Sequence, residues 1–386
     1  MSFLPFYVPS EAPPKVVIAG GGYAGIAALI TLYRCCPSAD VTLIDPRQDH
    51  FKITHLHELF RHSQGSLKVP FAVLSERFRF RHVHGDLQLS ERTLNGWQRK
   101  RAISINDEDL SFDYLLIATG AAGAKVEEAE GLIDLEDLCG ECGERAPSVI
   151  RRLAELEENM PISLVGGGAT GVQFFFEIAH WLKTKGKTNP LRLIDAGDTV
   201  LQHFTPKLRG YVSSRMTELG IDFLSGTRFL GLESNNIRIE NKQTGEQTKL
   251  LSGITFCFLG KRPSLCLATN AFGQVSLSGK TLPRIFAAGD CSRYRSIGSN
   301  AMTAQSAVRK GKLCARNILR HSGKVKILEP YLHQDLGYVI SLGPLDAVGW
   351  IGIQSNVLGG SPAVVAKELM DAQHDLLLAG IDTYLI

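Results

Sequence analysis

Two stretches of this chain repeat one local plan, and that repetition constrains the fold more than any other feature. The first runs Lys15-Val-Val-Ile-Ala-Gly20-Gly-Gly22-Tyr23-Ala24-Gly25, then helix-patterned residues from Ile26 to Cys36, a stop at Pro37 and the run Val41-Thr-Leu-Ile-Asp45. The second runs Ile162-Ser-Leu-Val-Gly166-Gly-Gly168-Ala-Thr170-Gly171, then a helical stretch from Val172 to about Leu182 and the run Leu191-Arg-Leu-Ile-Asp195. Each reads as strand, tight turn, helix and second strand. The first glycine of each turn allows the sharp bend, the second lets backbone approach a pyrophosphate, and the third lets the helix pack close to the sheet. The helix start then offers N–H groups and a positive dipole end to phosphate. Asp45 and Asp195 stand where a carboxylate can accept hydrogen bonds from ribose hydroxyls. The units predict two dinucleotide sites, one from Gly20, Gly22, Tyr23, Ala24, Gly25 and Asp45, the other from Gly166, Gly168, Thr170, Gly171 and Asp195. Eight of the 38 glycines among 386 residues stand in these two turns.

Two further segments order the sites. Phe112-Asp-Tyr-Leu-Leu-Ile-Ala-Thr119-Gly120 and Arg284-Ile-Phe-Ala-Ala-Gly289-Asp290 are apolar strands ending in turns. With these four motifs in order over residues 15–320, the chain resembles the flavoproteins with two dinucleotide-binding domains, the pyridine nucleotide-disulfide oxidoreductase superfamily. The resemblance implies an α/β fold of two Rossmann-like domains: a discontinuous FAD domain (1–125 and 275–325) and an inserted NAD(P)H domain (145–274). A small α+β C-terminal domain (326–386) follows. It implies FAD in the first site, with Asp45 on the adenosine ribose, Thr119 and Gly120 closing the domain, and Gly289 and Asp290 at the ribityl chain and flavin phosphate. NADH falls to the second site, because Asp195 would repel a 2′-phosphate and Ala196-Gly-Asp-Thr-Val200 offers no Arg or Lys to hold one. Ala304 and Gln305 would begin a helix aimed at the flavin's pyrimidine edge, its dipole stabilising negative charge on the reduced ring.

The C-terminal run Tyr331-Leu-His-Gln-Asp335-Leu-Gly337-Tyr-Val-Ile-Ser-Leu-Gly343, followed by Ala347-Val-Gly-Trp350, looks like the third domain of type II NADH:quinone oxidoreductases. That likeness implies hydride transfer from NADH to flavin, then two electrons to a quinone-like acceptor. Three positions depart from the family pattern. Gln173 stands where the family carries Glu near the nicotinamide, with Glu177 one helical turn on; Arg309 replaces a second Gln; and the flavin-side segment Phe51-Lys-Ile-Thr54-His-Leu-His57 lacks the usual proline. Gln305, Gln173 and Glu177 are the candidate catalytic residues. Two other readings keep the flavin: an NAD(P)H-dependent reductase of a protein carrier such as ferredoxin or rubredoxin, with Arg309 and Lys310 meeting an acidic partner, or a non-catalytic flavin-binding assembly subunit. Cys139 and Cys142 form a CxxC that reads as a linker more readily than as a redox pair, and sulfide:quinone oxidoreductases carry cysteines this chain lacks. His50, His55 and His57 read as polar lining rather than a metal cluster, for want of carboxylate or cysteine companions, with His57 a candidate proton source.

A net charge of +3, from 42 Lys and Arg against 39 Asp and Glu, offers no basic face to nucleic acid. No apolar run is long enough to span a membrane. Met1–Pro14 reads as an extended arm, not a secretory leader, and the 8 cysteines as free thiols of a reducing compartment. The expected location is therefore cytoplasmic. Ser361 and Pro362 open a C-terminal helix whose stripe Val365, Leu369, Ala372 and Leu376 suits a core, a second copy of the chain in a homodimer, or peripheral contact with a membrane.

Overall fold

The computed structural model describes residues 3–62, 64–124, 129–139 and 145–384. Five parallel strands form the heart of the first sheet, in the order Lys280–Ala287, Tyr114–Ile117, Lys15–Ala19, Asp40–Asp45, Arg81–His84. Their apolar runs are continuous because both faces of the sheet are covered. Val16 and Ile18 face one core and Val17 the other, the period-two alternation of a strand. Gln274–Leu277, Leu267–Thr269 and Ser292–Tyr294 extend it to eight strands. Helices α1 (Tyr23–Cys35) and α2 (Ala169–Thr184) follow the two glycine turns. The second sheet is parallel throughout, in the order Leu132–Asp134, Ile254–Cys257, Ile162–Val165, Leu191–Ile194, Ile221–Leu224. Both sheets reverse their strand order beside the glycine turn, the crevice where ligands of such sheets bind.

Domain limits differ from the expected ones at two points. Leu132–Asp134, ahead of residue 145, pairs with Ile254–Cys257 in the second sheet, and Leu267–Thr269, ahead of 275, belongs to the first. Both are strands of three residues whose place only pairing decides. Helix α3 (Ala304–Ser322) lies against α1, so close that a Cβ at Gly311 would stand 2.1 Å from the Ala24 carbonyl oxygen.

The C-terminal part is an antiparallel sheet, Gly337–Ser341, Ala347–Ile351 and Val357–Gly359, followed by helix α4 (Ser361–Leu378). It has no separate core: Ile340, Leu342, Val348 and Trp350 join the cluster of α2, while Leu377 and Leu378 join that of α1. The apolar stripe of α4 faces outward, with Val365 58% and Leu369 68% exposed, and Ala363, Lys367, His374, Leu377 and Leu378 face inward. Both sets follow helical spacing. Spacing alone therefore could not choose between them; the inward face is set by the apolar cluster around α1, which takes Leu377 and Leu378, and by His50, which meets His374.

The third glycine of the first turn is a steric requirement, since a Cβ at Gly25 would lie 1.8 Å from the Gly20 carbonyl oxygen, whereas one at Gly22 meets nothing within 4 Å. Gly25→Ala is expected to destabilise the protein by about 3 kcal/mol, and Gly22→Ala by no more than about 0.5 kcal/mol, measured by denaturant unfolding of the flavin-free protein.

Candidate functional site

The two glycine turns are built alike. Gly20 and Gly166 adopt φ +108° and +111°, and a Cβ on either would fall 2.3 Å from the Ala118 or 2.2 Å from the Phe258 carbonyl oxygen. The Gly21 amide donates to Asp45 Oδ2 and the Gly167 amide to Asp195 Oδ2, each at 2.6 Å. Neither α1 nor α2 has a side-chain cap or an acidic residue in its first turn. Both helix starts thus keep their positive ends for an anion.

Asp45 also accepts from the Arg47 amide and, through Oδ1 and Oδ2, from the Arg47 guanidinium at 3.0 and 3.1 Å. Burial alone would raise this carboxyl, but Arg47 and the two amides outweigh it and hold it below the ordinary carboxylate range. Asp195 accepts a second amide, from Gly197, at 2.7 Å. A residue the sequence window did not reveal stands next to it: Lys242, in the turn between strands Asn236–Asn241 and Gln247–Leu251, donates Nζ to the Ala196 carbonyl at 2.9 Å.

Thr119 follows Ala118, which lies over Gly20. A Cβ at Gly289 would stand 3.1 Å from that of Ala24, so the Gly289-Asp290 turn packs on the start of α1. Three motifs thereby meet at one crevice. A Cβ at Gly120 would find nothing within 4 Å, leaving that side open. Burial raises the Asp290 carboxyl, with Lys261 and Lys310 drawing it back. These features fit FAD: an open glycine cradle, an uncapped helix start and a carboxylate at the strand end.

Thr303 caps α3, accepting from the Ser306 amide at 3.1 Å, with Ala304 and Gln305 in its half-buried first turn. On α2, Gln173 Oε1 accepts from the Ser341 amide at 3.1 Å, and buried Glu177 pairs with Arg61, whose Nε donates at 3.0 Å. The two candidate catalytic residues of α2 therefore fasten it to the C-terminal sheet and to the segment after Ile53–Phe60. Arg61 carried no signal in the sequence.

A third fastening joins α4 to the first glycine turn. The Gly21 carbonyl accepts from His50 Nδ1 at 2.9 Å, which leaves His50 Nε2 as the acceptor for His374 Nε2–H at 3.1 Å. Burial pushes His50 down to about 4 and His374 down to about 2, so both rings are neutral, as this tautomer pairing requires. His374 also lies against Tyr23, centroids 4.3 Å apart, and the Tyr23 hydroxyl meets Thr54 Oγ1 at 2.8 Å.

Lys310 does not reach the surface to meet an acidic carrier. It is buried, donates to the Ser292 carbonyl at 3.1 Å and lies between the Tyr294 and Tyr331 rings, while the Arg309 guanidinium covers Tyr384. Burial pushes the Cys139 thiol up to about 12; Cys142 lies outside the described residues.

Comparison with known proteins bears on the family and the fold. Residues 14–311 match the family model of the pyridine nucleotide-disulphide oxidoreductases. A type II NADH:quinone oxidoreductase of Staphylococcus aureus is 23% identical, over 95% of this chain and 96% of that protein. The structure of NDH2 from Plasmodium falciparum in complex with NADH superposes with a TM-score of 0.77 at 16% identity, covering 93% of this chain and 94% of that one. The sulfide:quinone oxidoreductase of Aquifex aeolicus superposes with a TM-score of 0.75 at 18% identity, covering 95% and 92%.

The Arg61–Glu177 pair is testable without any ligand. Burial raises the Glu177 carboxyl and Arg61 opposes that rise, so Arg61→Ala leaves a buried carboxylate uncompensated. The expected loss is about 3 kcal/mol at pH 8. Because a raised folded pKa removes stability as pH climbs above the unfolded value, the loss shrinks toward pH 5. Thermal unfolding across pH checks this, and Glu177→Gln in the Arg61→Ala background should restore much of the loss at pH 8.

Proposed function

Because the chain belongs to the pyridine nucleotide-disulphide oxidoreductase family, we propose that it is an FAD-dependent NADH dehydrogenase that passes electrons to a quinone-like acceptor. The observation that carries this reading is the duplicated turn: two uncapped helix starts, each with a strand-end carboxylate held by a turn amide. Near-complete coverage of a type II NADH:quinone oxidoreductase, C-terminal part included, supports the acceptor class.

Bound FAD supplies the two-electron carrier between NADH and the acceptor. The chain's own residues bind and orient. Gly20 to Gly25 and the start of α1 hold the flavin pyrophosphate, Asp45 the adenosine ribose, and Gly289 with Asp290 the ribityl side. Gly166, Gly168, Thr170 and Gly171 hold the NADH pyrophosphate, with Asp195 on its ribose. Gln305 and Ala304, opening α3, face the flavin ring, and the α3 dipole favours negative charge there. Gln173 and Glu177 act by fixing α2, and the nucleotide it binds, against the other domains.

The outward stripe of α4 supports peripheral membrane contact on the cytoplasmic side. Leu369, Ala372 and Leu376 line a shallow apolar hollow with Ile351 and Met370. Among the described residues no helix is long and apolar enough to cross a membrane. A leaflet would cover this face.

Purified protein should carry a flavin spectrum that bleaches on anaerobic addition of NADH and returns with a soluble quinone analogue. Flavin that NADH leaves oxidised would refute the dehydrogenase reading, and faster bleaching by NADPH would refute the role of Asp195. Bleached flavin that a quinone cannot reoxidise would overturn the acceptor. Leu369→Glu with Leu376→Glu should lower co-sedimentation with phospholipid vesicles by at least about fivefold while leaving NADH bleaching intact, each buried leucine contributing about 1.5 kcal/mol or more. Unchanged sedimentation would rule out this face.

A further inference from the structure

We propose that His55, Glu58 and Asp371 form a binding site for one divalent transition-metal ion, of the class of zinc or cobalt, joining the Ile53–Phe60 segment to α4. That segment is a 3₁₀ helix, in which residues three apart eclipse, so His55 and Glu58 stack on one face with His55 Nδ1 3.2 Å from Glu58 Oε2. Asp371 approaches from α4, its Oδ1 3.7 Å from His55 Nε2. One ligand atom from each of His55, Glu58 and Asp371 lies within 4.8 Å of the others. The carboxylates missing from the sequence reading are thus supplied, one by the next residue in the segment and one from across the fold.

His57 lies beside this group and not in it. His57 is 3% exposed, yet its Nε2 has no hydrogen-bond partner among the described residues and stands 3.8 Å from Glu58 Oε1. One imidazole and two carboxylates without thiolate suit zinc, cobalt or manganese. Their bonds of about 2.0–2.2 Å require the ligand atoms to close by roughly an ångström.

The carboxylates already attract one cation. Lys367 is buried and its ammonium contacts Asp371 Oδ2. A metal ion must displace it, so Lys367 lowers metal affinity and its removal should raise it.

The test uses tag-free, chelator-treated holoenzyme titrated with Co²⁺, followed by visible d–d absorption, and with Zn²⁺, followed by calorimetry. The expected result is one ion per chain, affinity at least about tenfold weaker in His55→Ala/Asp371→Asn, and affinity tighter in Lys367→Met. Absence of saturable binding, or binding that the double variant retains, overturns the site. Flavin content and metal-free thermal unfolding verify that each variant is folded. Should the double variant fail to fold, Lys367→Met decides alone: tighter binding supports the site, and unchanged or weaker binding overturns it.

Discussion

The structure depends on a missing side chain used twice. At Gly25 and at Gly171 a helix begins against the carbonyl oxygen of the glycine that ends the preceding strand, at distances no Cβ could share. That contact aims each helix start over the strand end, brings the middle glycine's amide onto a carboxylate from the next strand, and leaves the first-turn amides facing open space. The neighbouring strand closes the crevice, because Gly20 and Gly166 meet the Ala118 and Phe258 carbonyls with the same lack of room. The dinucleotide cradles are a consequence of backbone packing, and the side chains around them refine what backbone contact has already shaped.

Polar groups hold the three parts of the molecule in register. Gln173 meets the Ser341 amide, Glu177 meets Arg61, and His374 meets His50, which in turn meets the Gly21 carbonyl. Buried polar contacts of this kind add little net stability but punish any arrangement that leaves them unpaired. A change in the position of α4 is therefore felt at the flavin turn, and one in α2 at the C-terminal sheet. The two glycine turns and the C-terminal part share one set of fastenings.

Legibility followed the range of the interactions. The turns, the helices after them and the two strand-end carboxylates are local, and the glycine spacing announces them directly. Leu132–Asp134 is too short to declare its sheet, and its partner lies more than a hundred residues away. On α4 the outward and inward faces both carry helical spacing, so the pattern could not say that His374 and Lys367 point in while Leu369 points out. Glu58 was in plain view beside His57, but its significance waits on the 3₁₀ geometry that stacks it on His55 and on Asp371 arriving from α4.

From sequence alone came the fold class, the two repeated strand-turn-helix units and the acid at the end of each unit's second strand, because all of these follow from steric demands within some thirty residues. Tertiary structure alone decided which residues stand together between the units: Arg61 beneath Glu177, His374 on His50, Lys242 beside the Asp195 turn, and Lys310 withdrawn between two tyrosines. Those pairings join segments from distant parts of the chain, and their energies depend on burial and charge that exist only once the domains have closed on one another.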